Sequence, residues 1–230
     1  MKNKAGFFNL IITVLFFSSV ITFSQNQKSL PSPDDKNIKL ENLSLHKDKI
    51  IQYHSSGHYD KDIQIICNKA WNKLKRIKPD SNSTVVFDVD ETTLSNYSFL
   101  KEMDFGYIPF LWDKWIDSAK APAIKSVKAL YDSVLTKCFK VVFISGRRDY
   151  QYAATIKNLK EQGFSIFDTL ITKSKNDLST STSLFKQSKR IALTKKGYKI
   201  VGSVGDQYSD MYGKDAGLKV KLVDYMYFIK

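Results

Sequence analysis

Cysteine and histidine are scarce in this chain: its 230 residues hold two cysteines and three histidines. His46, His54 and His58 all fall in one N-terminal stretch, before any strand, and no G-x-S-x-G accompanies them, so a serine hydrolase is not supported. Their expected place is the surface or the packing between helices. Cys67 and Cys138 would suit either a disulfide or two separate thiols, and pairing stays open. No fixed-period repeat is present, which excludes a solenoid or propeller. Beyond the N-terminus no apolar run approaches the length that spans a bilayer. Acids are also in deficit, 23 against 36 lysines and arginines, for a formal net charge of +13.

What is present is a globular composition, 43% hydrophobic and 26% charged, long enough for one domain with a real core. The excess of positive charge is compatible with nucleic acid or another acidic partner. The lysines are scattered, though, with no aromatic-interleaved basic stretch. A solvated basic surface that attracts small anionic substrates is the preferred reading, with no nucleic-acid partner.

The first 24 residues follow the plan of a secretory signal peptide. Lys2 and Lys4 precede an apolar run, Ala5–Phe17, broken only by Asn9 and Thr13. Thr22 and Ser24 then stand at the −3 and −1 positions of a cut before Gln25. An uncleaved anchor over Ala5–Phe23 is the competing reading. Cleavage is favoured, which predicts an exported, periplasmic or secreted protein with no stable membrane anchor. Residues 25–43 are polar with two prolines and read as a flexible linker. The folded domain is then 44–230.

Within that domain, apolar residues recur at helical spacing from about Leu45 to Ile77, with a break at Ser55-Ser56-Gly57. Short β-branched runs follow at Thr84–Phe87, Lys140–Ile144, Thr169–Thr172, Ile200–Val204 and Leu218–Val223. Helical stretches lie between most of them, at about Pro122–Thr136, Tyr150–Glu161 and Phe185–Lys196. Alternation of this kind predicts an α/β fold, a Rossmann-like parallel sheet with helices on both faces. Ligands bind such sheets at the carboxyl ends of the strands. The chain's polar clusters fall at those ends.

Asp88-Val89-Asp90-Glu91-Thr92 follows the first run, and residues two apart in extended chain project to one side. Asp206 and Asp210 follow the fourth run, at a spacing that fits the inward face of a helix start. Two charges ~4 Å apart cost about 4 kcal/mol at an effective dielectric near 20, so four converging carboxylates require a cation. Oxygen-only ligands select a hard ion such as Mg2+. An EF-hand fails, because its twelfth position would be Phe99 and its sixth Thr93. Ser145-Gly146-Arg147 after the second run offers a hydroxyl, a backbone donor and a guanidinium for phosphate oxygens. Lys186 and Lys189 each offer a cation at a helix start. Together these are the surroundings a phosphoryl group needs.

These motifs resemble the four signatures of haloacid-dehalogenase-type hydrolases. In detail they are similar to the acid phosphatase branch that contains bacterial outer-membrane nucleotidases and plant vegetative storage proteins. The supporting residues are Asp88 to Thr92 with Asn96, Trp112-Asp113-Lys114-Trp115, Phe185-Lys186-Gln187, Gly197-Tyr198, Gly205-Asp206, and the tail from Lys221-Leu222 to Met226-Tyr227. The resemblance spans roughly residues 45–230. It implies that Asp88 attacks phosphorus while Asp90 serves as acid and then base. It also implies that Asp88, the Asp90 carbonyl and Asp206 hold magnesium, with Asp210 supporting through water. Ser145, with Gly146, Arg147 and Thr92, would bind the phosphoryl group, and Lys186 would neutralise it, Lys189 being the second choice. A small cap over about 95–120 would follow the first strand, with Trp112, Trp115 and Tyr227 as candidates to stack a base or aryl leaving group. The implied protein is an exported acid phosphatase acting on small phosphomonoesters, with nucleoside monophosphates one candidate class and a homodimer one option for assembly. The bacterial relatives carry a lipid-bearing cysteine that is missing here. Some storage relatives lack the nucleophilic Asp, which is present here. A catalytically weak binding or storage protein on the same scaffold is the alternative.

Overall fold

A computed structural model describes residues 41–229. The expected leader and nearly all of the expected linker lie outside those residues. The described chain runs α1 (Leu43–Ser55), α2 (His58–Leu74), β1 (Ser83–Phe87), α3 (Tyr97–Glu102), α4 (Pro109–Ser118), α5 (Lys125–Thr136), β2 (Lys140–Arg148), α6 (Tyr152–Glu161), β3 (Thr169–Lys173), α7 (Thr182–Lys195), β4 (Lys199–Gly205) and β5 (Leu218–Lys221). The five strands form one all-parallel sheet in the order β3-β2-β1-β4-β5. Fold class, the order of the strands and the break between the first two helices agree with the sequence reading, but β2 runs past Ile144 to Arg148 and so contains Ser145-Gly146-Arg147 rather than ending before them. Gly57 supplies that break, since its φ of 78° is a left-handed conformation that glycine adopts without steric cost.

The sheet is apolar on both faces because successive side chains point to opposite sides and the central runs are apolar at consecutive positions. Val85 and Phe87 of β1 join Val141 and Phe143 of β2 in a large cluster with Ile63 of α2, Tyr131 of α5 and Leu159 of α6. The intervening Val86, Val142 and Ile144 meet Phe185 and Leu193 of α7 on the other face. With the helices so divided, the loops after β1, β2 and β4 are neighbours at one edge of the sheet. α7 reaches the same edge from the β3 side.

Two local expectations are corrected. α5 begins at Lys125 rather than Pro122, because residues just before it make other bonds: Ala121 N–H donates to Asn158 Oδ1 (3.1 Å) and Ala123 N–H to Gln162 Oε1 (2.9 Å). Asp206 and Asp210 do not open an α-helix. The chain there makes a single 3-10 turn, Tyr208–Asp210, and then leaves through Gly213 at φ 77°.

Among the described residues Cys67 is buried, Cys138 is exposed and neither is in a disulfide. No helix of the described residues is long and apolar enough to cross a membrane.

Candidate active site

Asp88 follows β1 directly, and its N–H extends the sheet by donating to Val204 O (2.9 Å). Its carboxylate is almost fully buried and takes a hydrogen bond from the Lys186 ammonium, which also binds Asp210. Lys186 sits on the second turn of α7, whose start is capped by the Ser181 hydroxyl accepting Leu184 N–H (3.3 Å). Lys189, one turn on, pairs instead with both oxygens of Asp177 at 3.1 Å. The structure thus separates the two candidate lysines.

Asp88, Asp206 and Asp210 bring one carboxylate oxygen each to within 4.8 Å of one another. Asp210 lies in that cluster itself, not behind it. Neighbours hold each acid in place. The Thr92 hydroxyl lies 3.2 Å from Asp206 Oδ1 and 3.4 Å from Asp88 Oδ2, and accepts Asp206 N–H at 3.0 Å. Gln207 N–H donates to Asp210 Oδ2 (2.8 Å) and Gln207 Nε2 to Asp206 Oδ2 (2.7 Å). Gly205 is required here, since any Cβ would collide with the Asp210 carboxylate.

Asp90 stands apart from that cluster, in a second grip. Arg147 Nη2 donates to its Oδ1 at 2.7 Å, Arg147 Nε reaches both oxygens at 3.1 Å, and Asn96 Nδ2 donates to Oδ1 at 2.9 Å. The remaining arm of Arg147 is held by Thr155 (3.1 Å). Arg147, expected on phosphate, therefore engages a carboxylate. Ser145 is fully buried, its hydroxyl accepting Arg147 N–H at 3.1 Å.

The electrostatics carry the mark of surplus negative charge. Burial, reinforced by Asp210 and Asp90, raises Asp88 to about 7 although Lys186 pulls the other way. Burial and the charges of Asp210 and Asp88 push Asp206 well above the usual carboxylate range. Burial disfavours the charge of Lys186, but Asp210 and Asp88 outweigh it and hold the ammonium above its usual value. Three clustered acids against one ammonium leave a formal charge of −2. A divalent cation with oxygen ligands fits both the charge and the donor set.

A cavity of about 440 Å³ opens onto Asp88, Asp90, Lys186, Asp206 and Asp210. Trp112 and Tyr227 line it, as do Phe105 and Tyr107, whereas Trp115 and Thr92 do not. The expectation for Trp115 is corrected: its indole N–H donates inward to Asn96 Oδ1 (2.7 Å) and its ring stacks on Phe99. Thr92 holds acids in place. At the end of β2 the cavity wall is Gly146, Arg147 and Arg148, with Ser145 behind.

Two residues of the site were missed from sequence. Glu91 is buried beside Asp90, accepts Asn96 N–H (2.5 Å) and Asn96 Nδ2 (2.8 Å), and takes the Tyr227 hydroxyl at 3.3 Å. Burial and the neighbouring Asp90 raise it to about 8. Its place inside the D-x-D-x-T segment was the available signal. Gln207 bridges the acids to the C-terminal tail, donating to Asp224 Oδ2 (2.9 Å) and accepting Ile229 N–H (3.1 Å). Nothing local in the sequence announces that role.

Residues 25–230 match the family model described as HAD superfamily, subfamily IIIB (Acid phosphatase). The chain belongs to this family of acid phosphatases. As a member it is a phosphomonoester hydrolase. It is 32% identical over 188 residues to Acid phosphatase 1 of Solanum lycopersicum, covering 79% of this chain and 74% of the relative. The Stem 28 kDa glycoprotein of Glycine max is also 32% identical, over 185 residues, covering 78% and 73%. Vegetative storage protein 1 of Arabidopsis thaliana is 28% identical over 181 residues, covering 76% and 67%. Among solved structures, the class C acid phosphatase from Bacillus anthracis with tungstate bound superposes with a TM-score of 0.66 at 22% identity, over 80% of this chain and 86% of that one. That likeness concerns the fold of this acid phosphatase family.

Proposed function

We propose that the protein is an exported, Mg2+-dependent acid phosphatase that works through an aspartyl-phosphate on Asp88. One observation carries this reading: a buried carboxylate at the end of β1 meets one ammonium and two further acids at the floor of a cavity. Lys186 occupies Oδ1 of Asp88, while Oδ2 has only the 3.4 Å contact with Thr92 and is the freer oxygen to attack phosphorus. As the new P–O bond forms, the bond to the ester oxygen breaks, and Asp90 gives that oxygen its proton. Oδ2 of Asp90 suits the task, because three donor contacts fall on Oδ1 and one on Oδ2. Asp90 then takes a proton from the water that attacks the phospho-enzyme, returning free phosphate and Asp88. A divalent ion bound by Asp88, Asp206 and Asp210 would offset charge on the phosphoryl oxygens. Gly146 presents the end of β2 to the same group, with Ser145 buried behind it.

Phe105, Tyr107, Trp112 and Tyr227 supply aromatic surface around the cavity, which favours esters with a planar leaving group, nucleoside monophosphates among them. The cap is the α3–α4 segment that contributes the first three of these. The storage reading has the vegetative storage relatives in its favour, and a p-nitrophenyl phosphate assay with and without magnesium separates the two. Turnover abolished by EDTA supports the enzyme; no turnover from pH 4 to 8 with magnesium present would leave the storage reading.

A further inference from the structure

The cavity holds four cations, and two of them have no acid. Arg148 ends β2 and Lys173 ends β3, and the two are partners in the parallel register. Side chains at paired positions of neighbouring strands project to the same side, and both line the cavity with Gly146 and Lys186. Lys186 is matched by Asp88 and Asp210, and Arg147 by Asp90. Among the described residues, Arg148 and Lys173 have no carboxylate within ion-pair distance. The Lys173 ammonium donates only to neutral acceptors, Thr180 O at 3.2 Å and the Thr182 hydroxyl at 3.3 Å.

The acids around them are committed elsewhere. Asp177 gives both oxygens to Lys189 at 3.1 Å, Asp149 accepts the Thr172 hydroxyl at 2.6 Å, and Asp113 is taken by Tyr150 (2.9 Å) and Gln151 (2.8 Å). Partial burial, together with the charges of Lys186 and Arg148, makes Lys173 a less basic amine than usual, although the nearby Asp177 charge pulls the other way. Like charges gathered in a partly dehydrated wall are unfavourable until an anion joins them.

The position of this pair relative to the chemistry gives that anion a place. The scissile phosphate belongs at Asp88 and Lys186. Asp90, which protonates the leaving oxygen, is gripped by Arg147, the residue just before Arg148. Arg148 and Lys173 line the same cavity as Asp88, Asp90 and Lys186, so a leaving group held in that cavity can reach them. We propose that Arg148 and Lys173 form a second anion subsite, and that preferred substrates are phosphomonoesters whose leaving group carries a further phosphate or carboxylate. This rests on the assignment of Asp88 and Asp90 made above and adds a substrate class to it.

A series of α,ω-alkanediol bisphosphates of increasing chain length, each compared with the monophosphate of the same diol, tests the proposal. ω-Phosphonooxy carboxylic acids form a second arm that distinguishes phosphate from carboxylate as the second anion. The wild type is expected to favour at least one doubly anionic compound by about ten-fold in KM, which corresponds to about 1.4 kcal/mol. Arg148→Gln and the double variant with Lys173→Gln should remove that preference while shifting the monophosphates less than about two-fold. Arg148 is exposed, so its single variant should fold normally. Equal KM values for singly and doubly anionic partners in the wild type, or a preference that survives in the double variant, would overturn the subsite. Calorimetric binding of the same compounds to Asp88→Asn reads the subsite without turnover. A chain that binds the bisphosphates tightly yet hydrolyses no phosphomonoester would instead contradict the roles given to Asp88 and Asp90.

Discussion

In the proposed reaction Asp90 is an acid in one half and a base in the other, and its surroundings suit that double role. Arg147 and Asn96 fix the carboxylate from one side, and Trp115 in turn fixes Asn96. Removing the guanidinium leaves the pair's surviving charge poorly oriented in a partly buried place. Arg147→Gln is therefore expected to lower kcat by about 100-fold, the scale of one general acid-base group, with little change in KM. Steady-state kinetics on p-nitrophenyl phosphate checks this; a rise in KM at constant kcat would instead make Arg147 a substrate ligand. At the same scale, Asn96→Ala should cost less, because one of four donor contacts to Asp90 is lost.

Among the elements, the turn after β4 and the C-terminal tail act as one piece. Gln207 joins them through Asp206, Asp210, Asp224 and Ile229. Gln207→Ala should raise the magnesium concentration needed for half-maximal activity several-fold, since the acids lose a buried donor and the tail beside the cavity loosens. A magnesium titration gives the answer, and an unchanged midpoint would confine Gln207 to packing. At the α1–α2 junction, His54 lies stacked on Tyr59 and on Tyr97. Burial lowers this imidazole from the ordinary 6.5 to about 4. A histidine depressed in the folded state binds its proton more readily when unfolded. Its contribution is thus complete above pH 6.5 and is lost as the pH falls toward 4. His54→Phe should flatten the acid side of the Tm–pH profile over that window; parallel profiles for the two proteins would contradict it.

For the molecule as a whole, the sheet and the strand ends that carry the candidate site were legible in the sequence. Runs such as Thr84–Phe87 and Lys140–Ile144 are short, β-branched and followed at once by acids or by Ser-Gly-Arg, so pattern and chemistry coincide. The contacts that decide roles were not legible. Arg147 was free in sequence to face phosphate, and only the fold sets it against a residue 57 positions away. Trp115 belongs to an aromatic-rich stretch in which spacing does not say which ring turns inward. Lys186 and Lys189 differ by one position short of a turn, and the placement of Asp177 separates them. The helix expected around Asp206 and Asp210 gave way to a turn in which Gln207 serves both acids, its side chain donating to Asp206 and its backbone N–H to Asp210. At this scale the −2 charge of the acid cluster predicts stabilisation by the ion that offsets it. Saturating magnesium at about 100 times its Kd should add about 2.7 kcal/mol of stability, visible as a rise in Tm that EDTA reverses. A Tm indifferent to both would contradict a site formed by Asp88, Asp206 and Asp210.

The proposed mechanism turns on which atom carries the phosphoryl group between the two half-reactions. Acid-quenching a reaction with a radiolabelled phosphomonoester and mapping the labelled peptide reads this directly. The predicted result is label on the peptide containing Asp88, sensitive to hydroxylamine as an acyl phosphate is, and absent from Asp88→Asn. Label on another residue, or steady turnover by Asp88→Asn, would contradict it.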